Sequence, residues 1–140
     1  NKEDMAMHLK EYYAIEKLIN ELRDELVVFL LAYYDHELVG YVKISEHPCA
    51  TEEAGLDTPI ELQRIYSLQK AIGKGIGSAL MQATVNYARS KNKKTIWLGV
   101  WQTNEIAIAF YKKWGFEIYS DHVFVLGTDP QMDWLMKKAL

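Results

Sequence analysis

Three glycines at alternate positions, Gly73, Gly75 and Gly77, constrain the fold of this chain more than any other feature. An apolar, strand-like run precedes them at residues 61–68, and a helical pattern follows at residues 78–90. Glycine at the mouth of a helix costs backbone entropy, but it leaves the first N–H groups uncovered, where the helix dipole adds positive charge. The sequence therefore predicts a strand, a turn and a helix whose N-terminus binds a phosphate. The competing interpretation is a tight turn that holds no ligand.

Apolar spacing along the rest of the chain predicts further helices and strands. One helical pattern starts at Asn1, a second runs from Ile15 to about Asp24, and a hairpin follows with its turn at residues 35–37. The first hairpin strand, at residues 25–34, is too apolar for an exposed edge. The other strands are predicted at residues 38–45, 61–68, 95–101, 116–120 with 123–126 (one bent strand or a broken pair) and 134–139, and the other helices at residues 78–90 and from Thr103 or Asn104 to about Trp114.

The order of these elements predicts the fold class. Strand, helix and strand between residues 61 and 101 imply a parallel crossover, whereas the hairpin implies antiparallel pairing beside it. We therefore expect an α+β fold, an α/β mixed sheet with helices on both faces.

Composition limits the class of protein. The 140 residues fit a single domain at 1–140, and 49% apolar residues suffice for one core. A net charge of −3 argues against a nucleic-acid or membrane partner, and no apolar run approaches the roughly 20 residues that span a bilayer. The lone Cys49 excludes an internal disulfide and fits a cytoplasmic protein. The four histidines show no metal-ligand spacing, so we expect no metal.

Two common nucleotide-binding loops fail on spacing. A Walker loop requires Ser or Thr after its lysine, but Lys74 is followed by Gly75. A dinucleotide fingerprint requires a third glycine at its sixth position, which is Ser78 when counted from Gly73 and Leu80 when counted from Gly75.

Two segments instead resemble the signature regions of the GNAT superfamily of acetyl-CoA-dependent N-acetyltransferases. They are Ile-Gly-Lys-Gly-Ile-Gly-Ser at residues 72–78 and Asn-Glu-Ile-Ala-Ile-Ala-Phe-Tyr-Lys-Lys-Trp-Gly-Phe at residues 104–116. The resemblance covers nearly the whole chain from Val27 onward. Segments 35–37 with 40–43, 61–66 and 96–101 are most similar to PaiA-type bacterial polyamine acetyltransferases.

The resemblance implies the GNAT fold, acetyl-CoA as co-substrate and a primary amine as acceptor. A polyamine such as spermidine or spermine is the first expectation, and another small amine or a protein amino group is the alternative. The alternative to an enzyme is a non-catalytic regulatory module that binds acyl-CoA, since a fold does not fix a function. The family also usually has a strand and a helix before the position that matches Asn1, and we expect them to form one wall of the acceptor site. The aromatic-rich C-terminal strands favour a homodimer.

Particular residues are expected to hold the cofactor. In the family, the glycine loop binds the CoA pyrophosphate, and the preceding strand splays from its neighbour and pairs with the pantetheine arm. The alternative for that strand is ordinary ladder pairing, and Lys74 and Lys113 are alternatively solvated lysines. The family usually has Gln or Arg at the position of Ile72, so we expect weaker support of the pyrophosphate there. The expected cofactor-binding residues are Ile65, Tyr66, Ser67, Ile72, Gly73, Lys74, Gly75, Ile76, Gly77, Ser78, Asn104, Tyr111 and Lys113.

Two residues match catalytic positions of the family. Tyr111 falls on the tyrosine that protonates the departing CoA thiolate in many members, and its alternative role is that of a core aromatic. Glu61 falls where some members carry the carboxylate that takes a proton from the amine, and its alternative role is that of a surface acid. An amine near pKa 10 must lose a proton before it attacks. We expect direct attack through a tetrahedral intermediate, with a backbone N–H near Ser67 polarising the thioester carbonyl.

Aromatic and acidic residues suggest how an amine is recognised. Trp97 and Trp101 share a strand face by parity and, with Tyr41 and Tyr66, either line a tunnel for an alkylammonium or belong to the core. The acids Glu52, Glu53 and Asp57 either attract a polycation or form a solvated run.

Overall fold

The computed structural model describes residues 19–69 and 73–140, in which six strands form one mixed sheet. The strands are β1 (Val27–Tyr34), β2 (Glu37–Ser45), β3 (Pro59–Ser67), β4 (Thr95–Trp101), β5 (Glu117–Leu126) and β6 (Asp129–Ala139), and the helices are α1 (Ile76–Ser90) and α2 (Glu105–Lys113). The order across the sheet is β1-β2-β3-β4-β6-β5. A helical turn at residues 19–23 precedes β1. The helical pattern predicted from Asn1 lies outside the described residues as far as residue 18.

The predicted hairpin and crossover are both confirmed. Strands β1 and β2 pair antiparallel, and Asp35 and His36 at their turn have positive φ angles of 50° and 65°, as the tight turns that join such strands require. Strands β3 and β4 pair parallel, with α1 as the connection between them. The mixed sheet therefore has the predicted class.

The expectation that β1 avoids a sheet edge is wrong. Among the described strands β1 stands at one end of the order, and the side chains of Leu31 and Tyr33 are 52% and 62% exposed. Only the alternate residues Leu30 and Ala32 pack against the core. Because side chains of a strand alternate between faces, a continuous apolar run does not by itself show that both faces are buried.

The helices α1 and α2 lie on one face of the sheet and share its core. Helix α1 packs its apolar side against alternate residues of β2, β3, β4 and β6, and α2 packs against the same cluster through Ala107, Ile108, Phe110 and Tyr111. On the other face, Glu21 of the helical turn contacts Lys43 at 3.1 Å and Arg64 at 3.3 Å. Helical structure therefore contacts both faces. The buried residues of the cluster are Val39, Val42, Ile44, Ile60, Leu62, Ile76, Leu80, Met81, Val85, Ala88, Ile96, Leu98, Val100, Phe116 and Met136.

A β-bulge in β3 determines where the sheet opens. Lys43 pairs with Arg64 and Ile44 with Leu62, so Gln63 is an extra residue in β3. The bulge reverses the alternation, because Leu62 and then Ile65 face the helices whereas Arg64 faces Glu21. The parallel pairing of β3 with β4 extends from Pro59 to Glu61. Beyond that point the two strands diverge and leave a gap in the sheet.

The structure decides between the one bent strand and the broken pair of strands predicted near residues 116–126. Residues 117–126 form one strand with a register shift between Ile118 and Ser120, which corresponds to the predicted bent strand and not to a broken pair. Strand β6 begins at Asp129, five residues before the predicted start, because its polar first half pairs through the backbone. Across β6 and β4, Asp133 is the partner of Trp101.

Candidate active site

The glycine turn presents open backbone at the N-terminus of α1. Gly73 and Gly75 have φ angles of 87° and 75°, a conformation that favours glycine, and a Cβ at either position would meet no atom within 4 Å. Gly75 caps α1 without a side-chain hydrogen bond, and the first turn of the helix contains no acidic residue. The first N–H groups of α1 therefore face open space with no competing carboxylate, the arrangement that binds an anion.

This turn opens into a cleft of about 630 Å³, a size typical of small-molecule sites. The cleft lies between the end of β3, the start of α1 and the side of α2. Asn104 at its edge caps α2 by accepting a hydrogen bond from the Ala107 N–H at 3.2 Å. The lining residues are Ile65, Tyr66, Ser67, Gly73, Gly75, Ile76, Gly77, Ser78, Leu80, Asn104, Ile106, Ala107, Phe110 and Tyr111.

Of the expected cofactor residues that the structure describes, two are not among the residues that line the cleft. The Lys74 ammonium lies 4.6 Å from the ring centroid of Tyr34, which favours cation–π contact over an approach to the cleft. Lys113 is exposed at the end of α2. Ile72 lies outside the described residues.

A second cavity, of about 330 Å³, occupies the gap between β3 and β4. It extends toward the face opposite the helices, where Tyr41, Arg64 and Trp101 lie. Ile65, Tyr66, Asn104, Ala107 and Tyr111 line both spaces, so the cleft and the cavity meet at these residues. The remaining lining residues are Gln63, Gly99 and Val100. Sequence reasoning missed Gln63 and Arg64, because the bulge in β3 is not visible in apolar spacing. It missed Gly99, because the gap that exposes this residue depends on where β3 and β4 stop pairing.

Tyr111 stands at the junction of the two spaces. Its ring packs against Phe110 and Phe116, with centroids 5.7 and 5.8 Å away. Its hydroxyl has no hydrogen-bond partner among the described residues, and no side-chain oxygen in that part of the chain is both buried and unpaired. The hydroxyl is therefore open to the space that the residue lines. Burial raises the pKa of Tyr111 above its ordinary 10, a value at which the phenol is already protonated at neutral pH.

Glu61 lies just before the gap and lines neither space. Burial raises the pKa of Glu61, and the carboxylates of Glu53 and Glu52 raise it further, whereas Lys43 lowers it. Glu53 accepts hydrogen bonds from the Trp97 indole at 2.9 Å and from the Cys49 N–H at 3.0 Å. Glu61 thus belongs to an acid-rich region beside the second cavity.

The two tryptophans that parity places on one face differ in their exposure and in their contacts. Trp97 is buried and bonded to Glu53, whereas Trp101 is 51% exposed and lines the second cavity with Tyr41 and Tyr66. The rings of Tyr41 and Tyr66 lie 5.8 Å apart.

Within residues 19–69 and 73–140, no group of three or more His, Cys, Asp or Glu side chains is placed to hold a metal ion. The same described portion contains no helix of the length and apolarity that crossing a membrane requires.

A glycine turn that leads into a helix, beside a cleft that reaches a gap between parallel strands, is the arrangement expected of an acyl-CoA-dependent transferase. Residues 2–116 match the acetyltransferase (GNAT) family, and the chain belongs to that family. The protein is an N-acetyltransferase, and acetyl-CoA is its co-substrate.

Individual relatives agree with this assignment. The chain is similar to an uncharacterised N-acetyltransferase of the pepI 3' region from Lactobacillus delbrueckii subsp. lactis, with 37% identity over 99% of this chain and 79% of the relative. It is 28% identical to a spermine/spermidine N(1)-acetyltransferase from Bacillus subtilis over 61% of this chain and 56% of that protein. The crystal structure of PaiA N-acetyltransferase from Thermoplasma acidophilum in complex with coenzyme A aligns with a TM-score of 0.71 at 25% identity, over 100% of this chain and 80% of that one.

Proposed function

We propose that this enzyme acetylates a small primary amine, with a polyamine such as spermidine or spermine as the first choice, and that Tyr111 is the general acid. The observation that carries the proposal is the meeting of the cleft and the second cavity at Tyr111. Acetyl-CoA in the cleft and an amine in the cavity would approach each other through the gap between β3 and β4.

The cleft suits the donor. The backbone N–H groups from Gly73 to Ser78 would bind the pyrophosphate, because they are uncovered and lie at the positive end of α1. Beyond Glu61, β3 has left β4, so the backbone of Ile65, Tyr66 and Ser67 can pair with the pantetheine arm as an added strand would. A backbone N–H near Ser67 would then polarise the thioester carbonyl.

The proposed reaction is a direct transfer. The amine nitrogen bonds to the thioester carbonyl carbon, the tetrahedral intermediate collapses, and the carbon–sulfur bond breaks. Tyr111, whose phenol is protonated at neutral pH, gives its proton to the CoA thiolate. The ammonium loses one proton to Glu61 through water before the nitrogen attacks, since Glu61 lines neither space. The second proton, which the nitrogen loses as the intermediate collapses, restores the Tyr111 phenol. The raised pKa of Glu61 makes it a stronger base than an exposed carboxylate.

Charge and similarity support a polycationic acceptor. Glu52, Glu53 and Glu61 lie together on the side of the sheet toward which the second cavity extends, and their mutual repulsion is relieved by a cation. Burial and these carboxylates also raise the pKa of Tyr119 to about 12. The relatives named above as a spermine/spermidine acetyltransferase and as PaiA favour the same class of acceptor.

We further propose that the protein has one domain, that it is cytoplasmic and that it forms a homodimer.

The test is release of free CoA thiol from acetyl-CoA with a panel of amines, with product masses as confirmation. We expect turnover of spermidine or spermine above that of an α-amino acid amide, which represents a protein N-terminus. Tight CoA binding without thiol release for any amine would contradict the proposal and favour a regulatory module.

Tyr111→Phe tests the role of the hydroxyl. Because this hydroxyl bonds no described residue while the ring packs in the core, the variant should keep its free energy of unfolding within about 0.5 kcal/mol. It should also keep its CoA affinity and lose about 100-fold in kcat, the scale of general acid catalysis. An unchanged kcat, or a loss of CoA affinity that matches the loss of rate, would contradict the acid role.

A further inference from the structure

The second cavity has a carboxylate beside it that no role described so far uses. Gly99 lines the cavity, and the Oδ2 atom of Asp133 lies 3.5 Å from the position that a Cβ at Gly99 would take. The missing side chain therefore leaves the carboxylate close to the space. Asp133 is also the cross-strand partner of Trp101, which lines the same cavity.

The surroundings of Asp133 leave its charge without a bonded partner. Within the described part of the chain, its carboxylate takes part in no hydrogen bond or ion pair. Its neighbour in β5 is His122, whose Nδ1 lies 3.6 Å from a Glu52 oxygen. Burial raises the pKa of Asp133, and the charge of His122 lowers it. A partly desolvated carboxylate gains from a cation placed against it.

The rest of the cavity is suited to an alkylammonium. Tyr41 and Tyr66 form an aromatic wall on the β2–β3 side, and Trp101 faces the cavity from β4 with its indole N–H held by Gln131 at 3.1 Å. Such faces attract cations and accommodate methylene chains. Arg64 is the charged residue that lines the cavity on the β3 side; it is already paired with Glu21 at 3.3 Å and offers no carboxylate to a second cation. A cationic tail is therefore directed toward β6, where Asp133 lies.

We propose that Asp133, reached past Gly99, binds the second ammonium group of the acceptor and makes the enzyme prefer diamines and polyamines to monoamines. The inference rests on the proposed amine acceptor and adds the group that selects it. The first amine attacks at the gap beside Tyr111, while the methylene chain lies along Trp101.

Asp133→Asn tests this role, with 1,4-diaminobutane and 1-butylamine as the two acceptors. The substitution keeps the shape of the side chain and removes its charge. We expect the kcat/KM for the diamine to fall about tenfold to hundredfold, the scale of a charge-assisted hydrogen bond, chiefly through KM. The kcat/KM for the monoamine should remain within about twofold, since it lacks the second cation.

Asp121→Asn is the matched control. Asp121 is exposed on β5 and pairs with Trp134, one position from the pair of His122 with Asp133, so its side chain projects from the other face of the sheet. This variant removes the same charge from the protein and should leave the kcat/KM for both amines unchanged. Gly99→Ala is the second variant, because a Cβ there makes only ordinary contacts and so should fold. It should reduce the preference for the diamine by covering Asp133.

The outcomes separate the two proposals. If wild-type enzyme acetylates both amines and Asp133→Asn keeps the wild-type preference, the inference is overturned and the amine acceptor stands. An equal fall in kcat for both amines would make Asp133 a base and would also overturn the inference. If wild-type enzyme acetylates neither of these amines, nor spermidine or spermine, the small-amine acceptor fails and the inference fails with it.

Discussion

Replacement of Gly75 by valine tests the CoA site most directly, because the chain supplies its own control. Gly75 and Gly55 have φ angles of 75° and 78°, and a Cβ at either would meet no atom within 4 Å. A side chain in this left-handed conformation costs about 1–2 kcal/mol, so Gly75→Val and Gly55→Val should lower the free energy of unfolding by similar amounts. Urea unfolding would measure this shared cost.

The two variants should differ only in their affinity for CoA. Gly75 lines the cleft at the cap of α1, whereas Gly55 lies in the loop between β2 and β3. Valine at residue 75 covers the N–H groups that we assign to the pyrophosphate, and each lost charge-assisted bond weakens binding about tenfold or more. Titration with CoA should show a loss of at least that size for Gly75→Val and none for Gly55→Val. Equal CoA affinities of two folded variants would refute the assignment of the glycine turn.

Two further predictions follow from contacts of β2 and β3. Gly40→Ala should destabilise the protein by about 1–3 kcal/mol, because its Cβ would lie 2.6 Å from the Tyr66 carbonyl oxygen and 3.2 Å from Ile76 and Leu80. An unchanged unfolding midpoint in urea would show that β2 and β3 move apart at no measurable cost, and would contradict this prediction. The activity that depends on Glu61 as a base needs the ionised carboxylate, so it should be lost as pH falls through a pKa above the ordinary 4.5. Glu61→Gln should remove this limb from the pH profile of kcat/KM, and an identical profile in the variant would exclude Glu61 as the base.

Features that depend on local spacing were predictable from the sequence. The strand at residues 95–101 has the predicted bounds, because its β-branched, aromatic and apolar residues favour a strand and all but Gly99 and Trp101 are buried. The glycine turn and the Asn104 cap also follow from local backbone chemistry. These elements position most residues that line the cleft.

Features that depend on long-range pairing were not predictable. The bulge at Gln63 places Arg64 and Tyr66 on the face opposite the helices, and only the register with β2 reveals it. Lys74 lies against the Tyr34 ring, a contact between residues that are 40 positions apart in the sequence. The edge position of β1 depends on the whole strand order. Spacing within one segment does not specify any of these.

The gap between β3 and β4 has a kinetic consequence. If nucleotide and amine enter from opposite sides of one sheet, neither blocks the route of the other, and both can be present before any bond changes. Double-reciprocal plots of initial rate should then intersect and not run parallel. A compound that joins the two substrates covalently would have to thread the sheet, so it would enter less readily than its two halves, even where it is held more firmly once inside.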